Sequence, residues 1–294
     1  MVILPDLRWP LALRRWREAE GAGFATAWTY DHLSWRTLRE GPWLTAVPLL
    51  AAVAASTERL RLGTLVATPN FRHPVLLAKD AVALDEVSGG RLELGLGAGG
   101  AGPDATVLGW PGLDAPGRAA RFSDFVDTLD TVLTHPGGAS VTTVSYTAVD
   151  ARSLPGCTQQ PRVPFTVAAS GPRGMRVAVR HARTWATFGP LRGADGPAAW
   201  RSAVAAQVDV LDAACHELGR DPASLRRLAL VGLDLAWAQD SVTGWDELCG
   251  WLAEHAFTDV VLHWPRPADP GLPGPSPAVF AAVCERLAGG PRPR

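Results

Sequence analysis

Residues 60–100 read LRLGTLVATPNFRHPVLLAKDAVALDEVSGGRLELGLGAGG. The first run, 60–67, is apolar without alternation, the pattern of a strand buried on both faces of a parallel sheet. Pro74 then opens a helix over 75–87, and Ser88-Gly89-Gly90 stops it, because proline suits a first helical turn and glycine a left-handed cap. A second apolar strand follows at 91–97. A strand–helix–strand unit of this kind predicts parallel pairing.

The same alternation extends in both directions. Upstream lie a short strand at 2–4, a helix at 11–22, a strand at 25–30 and a helix at 43–56 that is apolar almost all round. Downstream, Phe122, Phe125, Val126, Leu129, Val132 and Leu133 keep the helical period across 118–133, with Asp124, Asp127 and Asp130 elsewhere on the surface. Residues 135–164 show no period and are rich in Gly, Pro, Thr and Ser, which predicts an irregular insertion with one hairpin around 141–146. Strands at 165–168 and 184–188 flank a helix at 174–181. Trp200, Val204, Val208, Leu211, Cys215 and Leu218 mark one face of a long helix. A strand at 228–237, a helix at 243–255 with Thr243 as N-cap, a strand at 259–262 and a helix at 277–287 complete the series. Eight strands each followed by a helix, with no internal repeat and no linker, predict an α/β fold: a (β/α)8 TIM barrel spanning 1–294 as one domain, with the insertion before the fifth strand.

The composition suits such a core and narrows the partners. Of the 294 residues 47% are hydrophobic and 19% charged, and the formal net charge is −1. That balance offers no basic footprint for nucleic acid and no polybasic run for an anionic membrane, so a small-molecule substrate is expected. The amino-terminal MVILPDLRW lacks a basic and long apolar leader, and no apolar stretch reaches the 18 or so residues of a membrane span. Cys157, Cys215, Cys249 and Cys284 are far apart and read as free thiols in a reducing compartment, which makes a cytoplasmic location the expectation. The helices at 43–56 and 75–87 could pack in a symmetric homodimer or be buried within one barrel.

In a TIM-type barrel the chemistry sits at the carboxyl ends of the strands. Tyr30-Asp31-His32 follows the second strand, where His32 could exchange a proton and Asp31 could orient it or bond a cofactor; a capping Asp beside a surface His is the alternative. Gly63, Thr64, Leu65, Val66 and Thr68 end the third strand, small enough for a flat ring to approach, or simply a turn. Ala169-Ser170-Gly171-Pro172-Arg173-Gly174 precedes a helix, and its backbone N–H groups, hydroxyl and guanidinium could cradle a phosphate. Gly95-x-Gly97-x-Gly99-Gly100 imitates a dinucleotide fingerprint, but Ala101-Gly102-Pro103 follows instead of a helix, so Gly97 and Gly99 more simply admit a cofactor to the end of the fourth strand. His135, His181, His216 and His255 have no ligand spacing, and no metal site is expected. His263 and Trp264 end the eighth strand and, with Trp35, are candidates for a substrate pocket.

These motifs together resemble the luciferase-like monooxygenase family of flavin- and coenzyme F420-dependent enzymes. The resemblance rests on AEGAGFATAWTYDHLSW at 19–35, the 60–100 segment, RFSDFVDTLDTVL at 121–133 and PFTVAASGPRGMRVAVRHARTW at 164–185. It implies a TIM barrel and a non-prolyl cis peptide in a bulge at 63–66, placed at Leu65-Val66. It also implies a cofactor phosphate at 170–174, and Asp31-His32 beside the cofactor ring, with His32 in proton transfer. Some deazaflavin-dependent relatives carry an acid and an Asn just past the glycines of the fourth strand; Gly100 and Pro103 stand there here, so neither that acid's role nor the sugar phosphate substrates of those relatives are carried over. The expected cofactor is coenzyme F420, with FMN the alternative. An FMN-dependent monooxygenase would use O2 and need a flavin reductase as partner. A barrel that binds flavin or serves as a partner subunit without catalysis is the reading from another class.

Overall fold

The computed structural model describes residues 1–35, 38–190, 193–232, 235–266 and 274–289. Seven parallel strands make one curled sheet in the order β1 (Thr26–Thr29), β2 (Arg61–Ala67), β3 (Leu92–Gly97), β6 (Phe165–Ala168), β7 (Thr184–Thr187), β8 (Arg226–Leu230) and β9 (Asp259–Val261). The remaining strands, β4 (Ala139–Thr142) and β5 (Thr147–Ala151), form a separate antiparallel hairpin inside the 135–164 insertion. Helices α1 (Trp9–Gly21), α2 (Ala46–Ala54), α3 (Pro74–Ser88), α4 (Ala115–Thr134), α5 (Pro172–His181) and α6 (Pro197–Glu217) alternate with the sheet strands. They are followed by α7 (Ala236–Asp240), α8 (Val242–Glu254) and α9 (Pro277–Gly289). No helix among the described residues is long and apolar enough to cross a membrane.

The sheet closes through Val2. This residue bridges Trp28 on one side and His263 on the other, both in parallel, and its N–H donates to Leu262 O at 2.8 Å while Ile3 N–H donates to Trp28 O at 2.8 Å. The eighth stave is therefore a single bridged residue rather than the strand expected at 2–4. Pro5 has no N–H to continue the ladder.

Two apolar layers result. Inside the barrel lie Val2, Leu4, Trp28, Tyr30, Leu65, Leu228 and Val261; between sheet and helices lie Trp16, Leu50, Phe122, Phe125, Trp185 and Trp200. The interior is tight where β2 meets β3. A Cβ on Gly63 would stand 2.0 Å from Glu93 O and 2.9 Å from the Trp28 ring, and one on Gly95 1.9 Å from Thr64 O. The register of that pair shifts between Thr64 and Ala67, and the Leu65-Val66 peptide in the bulge is cis, as the family resemblance implied.

Some boundaries differ from the expectations. The apolar run at 228–237 is a strand only to Leu230, and Ala236–Asp240 is helical, with 233 and 234 outside the described residues. A short apolar run carries no period that separates a strand from a buried helix. The cap of α8 is Ser241, whose Oγ accepts from Gly244 N–H, not Thr243, which sits inside the first turn. The helix expected from 43 starts at Ala46, and the insertion hairpin is wider than 141–146. By contrast α3 begins at Pro74 with His73 Nδ1 accepting from Val75 N–H, and ends on Gly89 at φ 62° and ψ 40°, the left-handed cap.

Candidate functional site

Register fixes which strand ends are neighbours. Thr29 pairs with Thr64, Ala67 with Leu96, Gly97 with Ala168, and Ala168 with Ala186. The carboxyl ends of β1, β2, β3, β6 and β7 thus form one arc of the barrel rim, and all three candidate motifs lie along it.

His32 leaves β1 on this arc. Its Nδ1 lies 2.5 Å from Asp104 Oδ2, and Asp104 Oδ1 accepts the N–H of Leu33 at 3.0 Å. Asp104 is buried in a 3-10 turn, Pro103–Ala105, that follows β3. A carboxylate only accepts, so Nδ1 carries a proton, and in the tautomer this selects the lone pair lies on Nε2. An imidazole held that way can take a proton from a hydroxyl or return one.

Asp31 does not orient His32. It is 1% exposed and receives the Arg72 guanidinium as a fork, Nε at 2.9 Å and Nη2 at 2.7 Å. Successive side chains at a strand end point to opposite sides, which separates the tasks of residues 31 and 32. Neither Asp104 nor Arg72 stood out in the sequence, because their partners are 72 and 41 residues away. An acid in the loop after the glycine-rich strand end was the one available signal.

An aromatic wall adjoins His32. Tyr30 Oη lies 2.8 Å from His263 Nε2, Trp35 sits edge-on to Tyr30 with centroids 5.5 Å apart, and Trp35 stacks on Trp43 at 6.4 Å. Trp43 Nε1 donates to His32 O at 2.7 Å, which pins the loop. His263 is buried, and that burial pushes its pKa down to about 4, so it is a neutral wall residue. Trp35 and His263 are thus brought to His32. Trp264 is not: its ring packs edge-on against Phe280 of α9, centroids 5.3 Å apart, in the layer between sheet and helices.

The candidate ring-binding residues share two roles. Thr64 Oγ1 donates to Gly95 O at 2.8 Å, and Thr68 Oγ1 accepts from Asn70 N–H at 3.4 Å, so both hydroxyls shape the backbone around Leu65 and Val66. Gly97 and Gly99 admit close neighbours: a Cβ on Gly97 would lie 2.5 Å from Val66 Cγ2, and one on Gly99 2.7 Å from the Asn70 amide. Asn70 itself ties the loop after β2 to the loop after β3, donating to Gly100 O, and to α4, accepting from Arg121.

At 169–174 the chain turns from β6 into α5. Trp185 Nε1 donates to Ala169 O at 2.8 Å and holds the turn. Gly171 is the N-cap without a side-chain bond to the helix, Pro172 occupies the first turn, and that turn contains no acid. Space around Gly171 is open, and Gly174 packs against Ala169 so closely that a Cβ would lie 2.9 Å away. Ser170 and Arg173 flank uncapped N–H groups, an arrangement suited to an anion.

Residues 7–258 match the luciferase-like monooxygenase family. An F420-dependent glucose-6-phosphate dehydrogenase from Beutenbergia cavernae is 40% identical over 170 residues, 55% of this chain and 47% of that protein. A 4-hydroxyprotoasukamycin monooxygenase from Streptomyces nodosus subsp. asukaensis is 33% identical over 208 residues, 65% of this chain and 53% of that protein. The matches thus span about half the length of these relatives. Among solved structures, the coenzyme F420-dependent tetrahydromethanopterin reductase of Methanopyrus kandleri superposes with a TM-score of 0.71 at 18% identity, covering 98% of this chain and 96% of that one, a likeness of fold. With the family match running from α1 to the start of β9, the chain belongs to the luciferase-like monooxygenase family.

Proposed function

We propose that this chain is an F420-dependent oxidoreductase that moves a hydride between the deazaflavin and a small organic alcohol or carbonyl compound. The observation that carries the reading is the His32–Asp104 pair. Oxidising an alcohol to a carbonyl removes one hydride from carbon and one proton from oxygen, and His32 Nε2 is the base oriented for the proton.

The residues present fit the coenzyme. The uncapped first turn of α5, with Ser170, Gly171, Pro172, Arg173 and Gly174, suits its phosphate. Ala169, Gly97, Gly99 and the Gly63–Thr68 bulge stand at neighbouring strand ends on the same arc, where the flat ring would lie. Bound there, a deazaflavin supplies a carbon that accepts or donates hydride and reacts poorly with oxygen. Asp104 keeps the His32 tautomer, the Asp31–Arg72 pair anchors the loop that carries His32, and Trp35 with Tyr30 excludes water from one side.

The similarity to a monooxygenase supports a second reading, an FMN-dependent enzyme fed by a flavin reductase. Fluorescence titration of the purified protein with F420 and with FMN, followed by turnover in the absence of oxygen, decides between them. F420 binding with anaerobic turnover is expected. Oxygen consumption with reduced FMN would establish the alternative, and binding of neither cofactor would remove both.

A further inference from the structure

A cleft of about 340 Å³ opens at the amino-terminal end of the barrel, on the side away from the strand ends that carry His32. Residues 159–164, the returning limb of the insertion, form one wall, and the turn from α5 into β7 at 180–183 forms the other, with Phe165 of β6 at the base. This cleft and the 169–174 turn sit at opposite ends of α5, whose 10 residues separate them by about 15 Å. It is a second place on the molecule, of a size that holds one small ligand.

The charge of the cleft is one-sided. Among the described residues it is lined by Arg162, Arg180, His181 and Arg183 and by no carboxylate. Two of these groups are spent on structure. Arg162 donates to Asp130 Oδ1 at 2.5 Å and to His181 O at 2.9 Å, and its guanidinium lies over the Phe165 ring, 3.4 Å from the centroid. His181 is held between Asp127 and Asp130. The other two keep donors free. Arg180 gives one N–H to Ser123 Oγ at 3.0 Å, while Asp127, the acid that feels its charge, is already bonded to His181 at 2.7 Å. Arg183 Nη1 lies 3.7 Å from Glu93, a carboxylate that Arg61 already bonds at 2.9 Å.

Two guanidinium groups with N–H donors to spare thus border one concavity, where an anion would relieve their mutual repulsion. The carbonyls of Val179, His181 and Ala182 at the end of α5 would repel an anion, but they accept from Arg220 and Arg162. The facing wall is preformed. Pro161 and Pro164 fix its backbone and Arg162 fastens it to α5, so little ordering accompanies binding.

We infer that this cleft binds a small multivalent oxyanion, a phosphate ester or a polycarboxylate, through the guanidinium groups of Arg180 and Arg183. Planar forks of paired N–H donors match the oxygen spacing of both ligand groups. The bound anion joins the insertion to the α5–β7 turn and stabilises the folded chain. Binding here needs neither cofactor nor substrate at the rim.

Isothermal titration of the full chain with inorganic phosphate and with citrate, at an ionic strength matched with sodium chloride, tests this. Saturable binding of at least one probe is expected, with Kd near or below about 1 mM. Arg180→Gln and Arg183→Gln should each weaken it about tenfold and together about a hundredfold, the loss expected for charge-assisted hydrogen bonds. Both side chains are exposed, so the ligand-free melting midpoint should stay close to the parent's and show that the variants fold. Arg173→Gln alters the turn at the other end of α5 and separates the two anion sites: the isotherm should survive it. A response to phosphate alone or to citrate alone supports the site and assigns its chemistry. Binding lost in Arg173→Gln and untouched in the Arg180→Gln/Arg183→Gln double variant would overturn the inference. So would heats that never saturate with either anion, or that follow ionic strength alone.

Discussion

Asp104 holds His32 from 72 residues away, with its carboxylate 2.5 Å from Nδ1 and its second oxygen on the N–H of Leu33. One side chain therefore sets both the tautomer of the imidazole and the path of the loop that carries it. His32→Ala should lower kcat for alcohol oxidation by about a hundredfold to ten-thousandfold, the usual contribution of a general base. Asp104→Asn keeps an acceptor for Leu33 N–H but can donate to Nδ1 and move the ring proton to Nε2. It should reduce kcat with little change in KM. Steady-state kinetics would separate this from a structural effect, and a rise in KM at constant kcat would deny Asp104 its positioning role.

The contrast between Asp104 and the helix α3 shows what could be read from the sequence. Pro74, Gly89 and the two apolar runs around them act locally, through backbone dihedrals and burial, and their spacing suffices to place a βαβ unit. The strand ends followed, so His32 and the 170–174 turn could be located on a rim before any contact was known. Asp104 acts across the barrel from an irregular loop, and no period or cap marks it. Trp264 failed for a related reason. It was placed by proximity to a strand end, whereas the side of the wall it faces depends on the pleat, which sends His263 inward and Trp264 towards Phe280.

The Asp31–Arg72 pair predicts a large stability effect. Asp31 is almost fully buried, and among the described residues Arg72 supplies both of the side-chain hydrogen bonds to its carboxylate. Arg72→Met would leave that carboxylate desolvated without compensation, and losing one member of a buried pair costs about 3–5 kcal/mol. Urea denaturation should show the loss in Arg72→Met and a partial recovery in the double variant Asp31→Leu/Arg72→Met. Equal stability of Arg72→Met and the parent would mean that the pair is not buried in solution.

His181 predicts a pH dependence at the opposite end of the barrel. Its Nε2 lies 2.7 Å from Asp127 Oδ1, and its Nδ1 lies 3.7 Å from Asp130 Oδ2. Burial alone would lower the pKa of His181, but the hydrogen bonds and charges of Asp127 and Asp130 outweigh it and raise the pKa above the ordinary 6.5. Burial opposes ionisation of the two acids, yet their bonds to His181 and the Arg162 charge beside Asp130 bring both below 3.8. A raised histidine stabilises fully below its unfolded value and loses that contribution as pH rises through the folded value; the lowered acids contribute above theirs and lose it on acidification. The cluster should therefore stabilise most between about pH 4 and 6.5. Thermal melts should show the parent losing more stability from pH 6 to pH 9 than His181→Gln. Identical pH curves for the two proteins would count against the cluster.

The outer face of α2 and α3 predicts the oligomeric state. Helix α2 reads AVPLLAAVA and has no charged residue. Leu49, Leu50 and Val53 turn inward, which leaves Val47, Pro48, Ala51 and Ala52 partly or fully exposed. Beside it, α3 presents Leu76 at 67% exposure, Ala83 and Val87 along one stripe, crossed by Asp80 and bordered by the exposed Lys79 and Glu86. Two packed helices offering a joint apolar surface of small residues favour a self-complementary twofold contact, and such contacts bury about 800 Å² per partner when stable. Sedimentation velocity at micromolar concentration should give twice the chain mass of 31.2 kDa. Leu76→Glu combined with Val87→Glu would place two unpaired charges in that contact and should yield monomers with an unchanged melting cooperativity, since neither side chain reaches the core. A parent protein that sediments as a monomer at all concentrations would leave this face to solvent and remove the dimer.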